Sequence, residues 1–284
     1  MTRWLGVVLC AFLSFQAVAA THDEIRKQVE ASMLVSGTIE INPDGSVRTY
    51  AIDQAAKLSP SINDCIRQTV TAWRFQVDTK KEVIAKARMT LRLLAKSVDD
   101  KHIAVSVGGE TIGKDDGLPT DDLQFDHRAV PAYPKVALDA RATGVVYLLL
   151  RVNRDGKVDD AWVEQVNLTT YSSDLNVELM RKTFAKATLG SAKRWTFHVP
   201  TTGALASAPY WVARLPISFE INGFPYDLED GQFGKWSVYL RGPRHPVLWD
   251  GDPKLLSSAP DAVPEGGVQT LGVGPQLLEG DNGA

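Results

Sequence analysis

Cysteine is nearly absent. Of 284 residues only Cys10 and Cys65 carry a thiol. Cys10 lies in a leader-like segment, so the processed monomer closes no internal disulfide. Cys65 sits on the apolar stripe Ile62, Cys65, Ile66, Thr69, Val70, Trp73 and reads as a small buried hydrophobe. Long apolar runs are also missing beyond the first twenty residues, so no other segment has the ~20 apolar residues of a membrane span. Basic charge never accumulates: residues 21–95 hold 11 basic and 9 acidic groups, and residues 129–222 hold 11 and 8. No basic stripe for nucleic acid results. The five histidines (His22, His102, His127, His198, His245) are scattered, with no pair at metal-ligand spacing. Asp115, Asp116, Asp121 and Asp122 lack the spacing of a calcium loop, and no nucleophile elbow, phosphate loop or dinucleotide fingerprint occurs. The expectation is a protein that is not an enzyme, without catalytic residues, metal, cofactor or small-molecule substrate.

What is present is a globular composition, 44% hydrophobic and 23% charged, behind a targeting segment. Arg3 gives a positive start, Leu5 to Phe15 an apolar core, and Ala17-Val18-Ala19 or Val18-Ala19-Ala20 small residues for cleavage. Residues 1–20 therefore read as a signal peptide. An uncleaved residue 4–20 anchor in the inner membrane is the alternative.

The most informative feature is an internal repeat. GTIEINPDGSV, a helical stretch and TAWRF are echoed by YLLLRVNRDGKV, a helical stretch and KRWTF. Each copy reads strand, Asn-x-Asp-Gly turn, strand, helix, Trp-x-Phe exit. In the first, residues 21–33 suggest a short helix and Val35 to Ile41 alternate as a half-buried strand. Ser46 to Asp53 return, and Ser59-Pro60 starts a helix to about Trp73. Ala85 to Leu94 complete the unit. Residues 96–128, richer in acid than base, read as an acidic linker with an edge-strand fragment at Ile103, Val105 and Val107.

In the second copy a short helix precedes Gly144, and Val145 to Leu150 are apolar on both faces, as in a strand central to a covered sheet. Val158 to Val166 return, Asp174 to Ala187 are amphipathic, and Trp211 to Ile221 close the unit. Pro216 lacks a backbone donor and marks that strand as an edge. Residues 223–284 are a Gly/Pro-rich extension, ordered to about 252, with Phe233–Tyr239 and Trp249 as its packing candidates.

Residues 129–222 resemble the C-terminal domain of the TonB energy-transducing family. The resemblance rests on Tyr133-Pro134, Ala137, Gly144, Asp155-Gly156-Lys157-Val158, Arg194-Trp195-Thr196-Phe197 and Phe219-Glu220-Ile221-Asn222-Gly223 in that order. Residues 21–95 keep the turn and the exit without the Tyr-Pro opening, a diverged copy. The resemblance implies an α+β fold: two domains, each a small three-stranded antiparallel sheet with helices on one face, in the periplasm of a Gram-negative cell. It implies binding of an extended segment, such as the TonB box of an outer-membrane transporter, by strand addition. Other periplasmic or membrane proteins are alternative partners, and a homo-oligomer stays open. The docking edge carried over is Trp211, Val212, Ala213, Arg214, Leu215, Ile217 and Phe219, with Tyr133 and Pro134 nearby. The chain departs from the family in having Ala132 before Tyr133, Pro216 in the edge, and no long Pro/Lys/Glu spacer behind a membrane helix. A binding protein is thus expected, with a membrane-anchored energy transducer in proton-motive-force-driven transport as the alternative.

Overall fold

A computed structural model describes residues 29–76, 83–97, 103–114, 119–170, 176–221, 233–245, 259–263, 267–272 and 274–278. The segment read as a signal peptide and Trp249 lie outside them. The first copy builds β1 (Val29–Ile41), β2 (Val47–Ile52), α1 (Pro60–Ala72), β3 (Phe75–Gln76), β4 (Ala85–Ser97) and β5 (Ile103–Lys114). Alternation puts Met33, Val35, Ile39 and Ile41 of β1 on one face with Ala87, Met89, Leu91 and Leu93 of β4. Ile62, Ile66 and Val70 of α1 seal that face. Ser59 caps the helix, its hydroxyl accepting from the Ile62 amide, and Pro60 fills the first helical position.

The second copy builds β6 (Gln124–His127), α2 (Lys135–Asp139), β7 (Gly144–Asn153), β8 (Val158–Leu168), α3 (Val177–Ala192), β9 (Thr196–His198) and β10 (Tyr210–Phe219). Gly144 through Leu150 are all buried, because β8 and β10 flank β7 along its length. Asn176 caps α3, which lays Met180, Phe184 and Thr188 on the sheet.

The repeat holds down to single atoms. The Asn42 amide bonds the Ser46 carbonyl at 2.9 Å, and the Asn153 amide bonds the Lys157 carbonyl at 2.9 Å. After each helix, the Phe75 and Phe197 amides donate to the Gly45 and Gly156 carbonyls, both at 2.8 Å. Both glycines are left-handed, at φ +82° and +75°. A Cβ on Gly156 would stand 2.0 Å from the Phe197 carbonyl oxygen, and one on Gly45 2.2 Å from that of Phe75. Gly156→Ala is therefore expected to cost about 1–3 kcal/mol from backbone strain plus displacement of the Trp-x-Phe exit. Urea unfolding followed by circular dichroism checks this, and an unchanged midpoint would refute it.

The expected pair of separate three-stranded sheets is overturned. With β11 (Ser237–Leu240) and β12 (Gln269–Thr270) from the extension, one nine-stranded antiparallel sheet runs β12-β10-β7-β8-β11-β1-β4-β5, with β2 also on β1. The joint is β11. It pairs Val29–Ser32 on one side and meets Leu168 of β8 through Leu240 on the other. Two further pieces follow, β12 on β10 and β13 (Gln276–Leu277) on β3. The extension is thus part of the fold well past residue 252. Val29 to Met33 are strand, not the expected helix, since β4 and β11 hold their backbone on both sides. Residues 21–28 of that helix lie outside the described residues. The stretch read as an acidic linker carries β5, which pairs β4 from Ala87↔Lys114 to Ser97↔Ile103.

The two long helices, α1 and α3, pack on one face, and the sheet curls around the other. The Leu271 amide bonds Val212 of β10 at 2.8 Å, while Gly274 lies against Gly113 of β5. Three chain steps reach at most ~11 Å. Six strand spacings from β10 to β5 would cover ~29 Å if flat. The two margins therefore bend toward each other, bridged by the tail.

Candidate functional site

β10 pairs β7 over all ten residues. That ladder sends Trp211, Ala213, Leu215, Ile217 and Phe219 into the core beneath α3, all nearly inaccessible. These five expected docking side chains are packing residues. Val212 is half-buried on the opposite face, where Arg214 is fully buried. Tyr133 does reach the end of β10: its ring stands edge-on to Phe219 and Phe184, at 5.7 and 6.0 Å. Its hydroxyl donates to the Ala142 carbonyl, and burial raises its pKa, with Glu220 adding to the rise. Pro134 is the cap residue of α2. The structure therefore brings Tyr133, Pro134 and the β10 edge together, but only backbone is offered along the edge.

That backbone already has a neighbour. Ala213 pairs Thr270 and Arg214 pairs Gln269, while the Leu271 amide donates to the Val212 carbonyl at 2.8 Å. With Val212 turned outward, alternation turns Arg214, Pro216 and Ser218 outward as well. Pro216 brings no N–H to that side, and the β12 ladder ends at Arg214, short of it.

The helix-free face holds the charges that sequence reasoning missed. Glu164 of β8, with no exposed side-chain surface, accepts from Arg214 Nε at 2.8 Å and Nη2 at 3.1 Å. Arg244 Nη2 adds a third contact at 2.9 Å. The strap around β11 is pinned to β8 here: the His245 amide bonds the Glu164 carbonyl at 2.7 Å, and Trp162 Nε1 bonds the His245 carbonyl at 2.9 Å.

A second network lies in the first module. Arg92 of β4, also buried, meets Glu30 at 2.6 Å and donates to the Tyr239 hydroxyl. Its Nε stands 3.1 Å from Asp261, an ion-pair contact without the alignment of a hydrogen bond. Burial alone would lower the Arg92 pKa, yet Asp261, Tyr239 and Glu30 together carry it up. Burial likewise raises Tyr239, with Asp261 adding to the rise against the pull of Arg92. Period-two alternation assigns such residues to solvent; only the curl of the sheet puts them inside.

Between these networks the face encloses a cavity of about 1000 Å³, lined by β1, β4, β7, β8, β11 and the turn Pro260–Ala262. Among the described residues no group of three His, Cys, Asp or Glu is placed to hold a metal ion. No helix there is long and apolar enough to cross a membrane. Cys65 is half-buried, its thiol donating to the Val105 carbonyl at 3.4 Å, and burial pushes its pKa up. His198 stands 3.6 Å from Asp126 at an exposed strand end. No protein-family model matches the chain, and no curated protein matches it.

Proposed function

We propose that the chain is a non-catalytic periplasmic binding protein of TonB-like type, taking an extended partner segment beside β10 by strand addition. A transporter segment such as a TonB box is the partner the resemblance suggests. The observation that carries this reading is the short strand Gln269–Thr270 seated on Val212–Arg214, with Leu271 bonded to Val212. An edge that accepts an extended segment of its own chain has backbone groups aligned for an incoming one. Short pairing of this kind is displaceable: two paired residues bury little, and the tail is held near the edge by its own chain length. The resident tail competes with the partner.

The test uses a fluorescein-labelled TonB-box peptide and the full processed chain, wild type and Leu271→Pro. The variant removes the donor to Val212 without touching β10. Anisotropy should show peptide binding that tightens about tenfold in Leu271→Pro. Absence of binding to both proteins would count against peptide recognition, and equal affinity would place recognition away from this edge.

A further inference from the structure

The cavity on the helix-free face lies apart from the β12 pairing on β10 and borders the Arg92 network through Tyr239 and Asp261, and its chemistry selects a ligand. Its wall is mostly apolar: Leu34, Val145, Tyr147, Phe233 and Val238 contribute from three strands and the approach to β11. Val238 lines it while 55% exposed, so apolar surface opens directly onto it. The volume lies at the upper end of the ~300–1000 Å³ of ligand pockets.

Five charged side chains also line it: Arg88, Arg141, Glu220, Lys235 and Asp261. Two are committed within the protein. Arg88 bonds Asp53 at 2.7 Å, and Asp261 lies between Arg92 and Arg241, at 3.1 and 3.7 Å. Among the described residues no ion pair involves Arg141, Lys235 or Glu220. Two cations against one carboxylate leave the cavity with one positive charge in excess. Asn167, 2% exposed in the same wall, adds an unmet donor. Its Oδ1 accepts from the Gly242 amide at 3.0 Å and Gln165 Nε2 at 2.8 Å. A backbone N–H can only donate, so the orientation of this amide is fixed and Nδ2 is the end left without a partner. Asp261 Oδ1 and Oδ2 also lack hydrogen bonds but are held in the ion pairs with Arg92 and Arg241, so among the described residues the cavity presents an excess positive charge and the Asn167 donor beside an apolar wall.

We infer that the cavity binds a singly charged anionic amphiphile, an acyl chain ending in a carboxylate. The chain lies along Leu34, Val145, Tyr147 and Val238, and the carboxylate takes the excess charge of Arg141 and Lys235. The molecule is a ligand held without chemistry, and its site is independent of strand addition at β10.

The experiment is calorimetric titration of the full processed chain with dodecanoate, octanoate and dodecyltrimethylammonium. Dodecanoate should saturate one site per chain, and shortening to octanoate should weaken binding by up to about fourfold per methylene. The cationic amphiphile should bind at least tenfold more weakly than dodecanoate. In Arg141→Glu/Lys235→Glu, both exposed positions, dodecanoate should lose at least tenfold and dodecyltrimethylammonium should gain. Val145→Trp fills the cavity and should abolish binding of both; circular dichroism monitors its folding, and the charge-reversal arm decides if it fails to fold. Unsaturable dodecanoate uptake, equal affinity for the two head groups, or indifference to the charge reversal would each overturn the assignment.

Discussion

Replacing Trp195 with alanine is expected to destabilise the second module by about 3–5 kcal/mol, the range for emptying a large aromatic site. The side chain is 1% exposed, at the point where α3 ends and β9 begins. Its Nε1 donates to the Ala129 carbonyl at 2.7 Å, so the indole also anchors the segment leading to Tyr133. Phe125 stands edge-on at 5.8 Å, and the Arg128 guanidinium lies 5.8 Å from the ring. Truncation leaves a cavity and an unsupported β6, and the Ala129 carbonyl keeps only the Ser191 hydroxyl as donor, at 2.6 Å. Set against a total stability of ~5–15 kcal/mol, this loss leaves little. Trp73, the counterpart in the first module, is 6% exposed and meets Phe75 at 6.1 Å. No indole hydrogen bond is found for it among the described residues, so Trp73→Ala should cost less. Urea unfolding of both variants checks the order; a Trp195→Ala loss below about 1 kcal/mol would mean the site collapses onto the gap.

Such packing was legible in the sequence because its signals are local. The Asn-x-Asp-Gly turns need positive φ at Gly45 and Gly156, Ser59-Pro60 announces a helix, and each Trp-x-Phe closes its unit within a few residues. What stayed hidden lives on long-range pairing. β11, β12 and β13 have four, two and two residues, too short for any periodicity, and they form because open backbone edges of β1, β10 and β3 receive them. Val29–Met33 carries the helix formers Glu, Ala and Met, yet pairing to Ala95–Leu93 and to β11 overrides that preference. In β5 the alternation of Ile103, Val105 and Val107 stops at Gly108 and Gly109. A Cβ at those positions would come within 2.2 Å of Leu94 and 2.3 Å of Ala259, so tight packing, not linker flexibility, accounts for them. Pro216 and the family pattern point to β10 as a docking edge, yet the odd-numbered side chains of that strand, from Trp211 to Phe219, face α3. The cavity had no sequence signal, since it exists only once β11 joins the two halves.

Glu164→Ala is expected to be about as costly, ~3–5 kcal/mol, for an electrostatic reason. The carboxylate and the Arg214 side chain both have no exposed surface, so truncation removes two charge-assisted hydrogen bonds from a buried guanidinium. Arg244, 30% exposed, loses its contact with Glu164 as well, loosening the strap that carries β11. The cost comes from the weaker compensation of a buried charge, not from the worth of the pair: taking both ions out of water offsets most of their attraction. Glu164→Leu/Arg214→Met should therefore recover most of the loss, because neither charge of this pair is left buried. Thermal unfolding of the single and double variants separates the two accounts. If the double variant is as unstable as Glu164→Ala, then the pair itself, through its two aligned hydrogen bonds, holds β8 to β10 across β7, and desolvation is the smaller of the opposing effects.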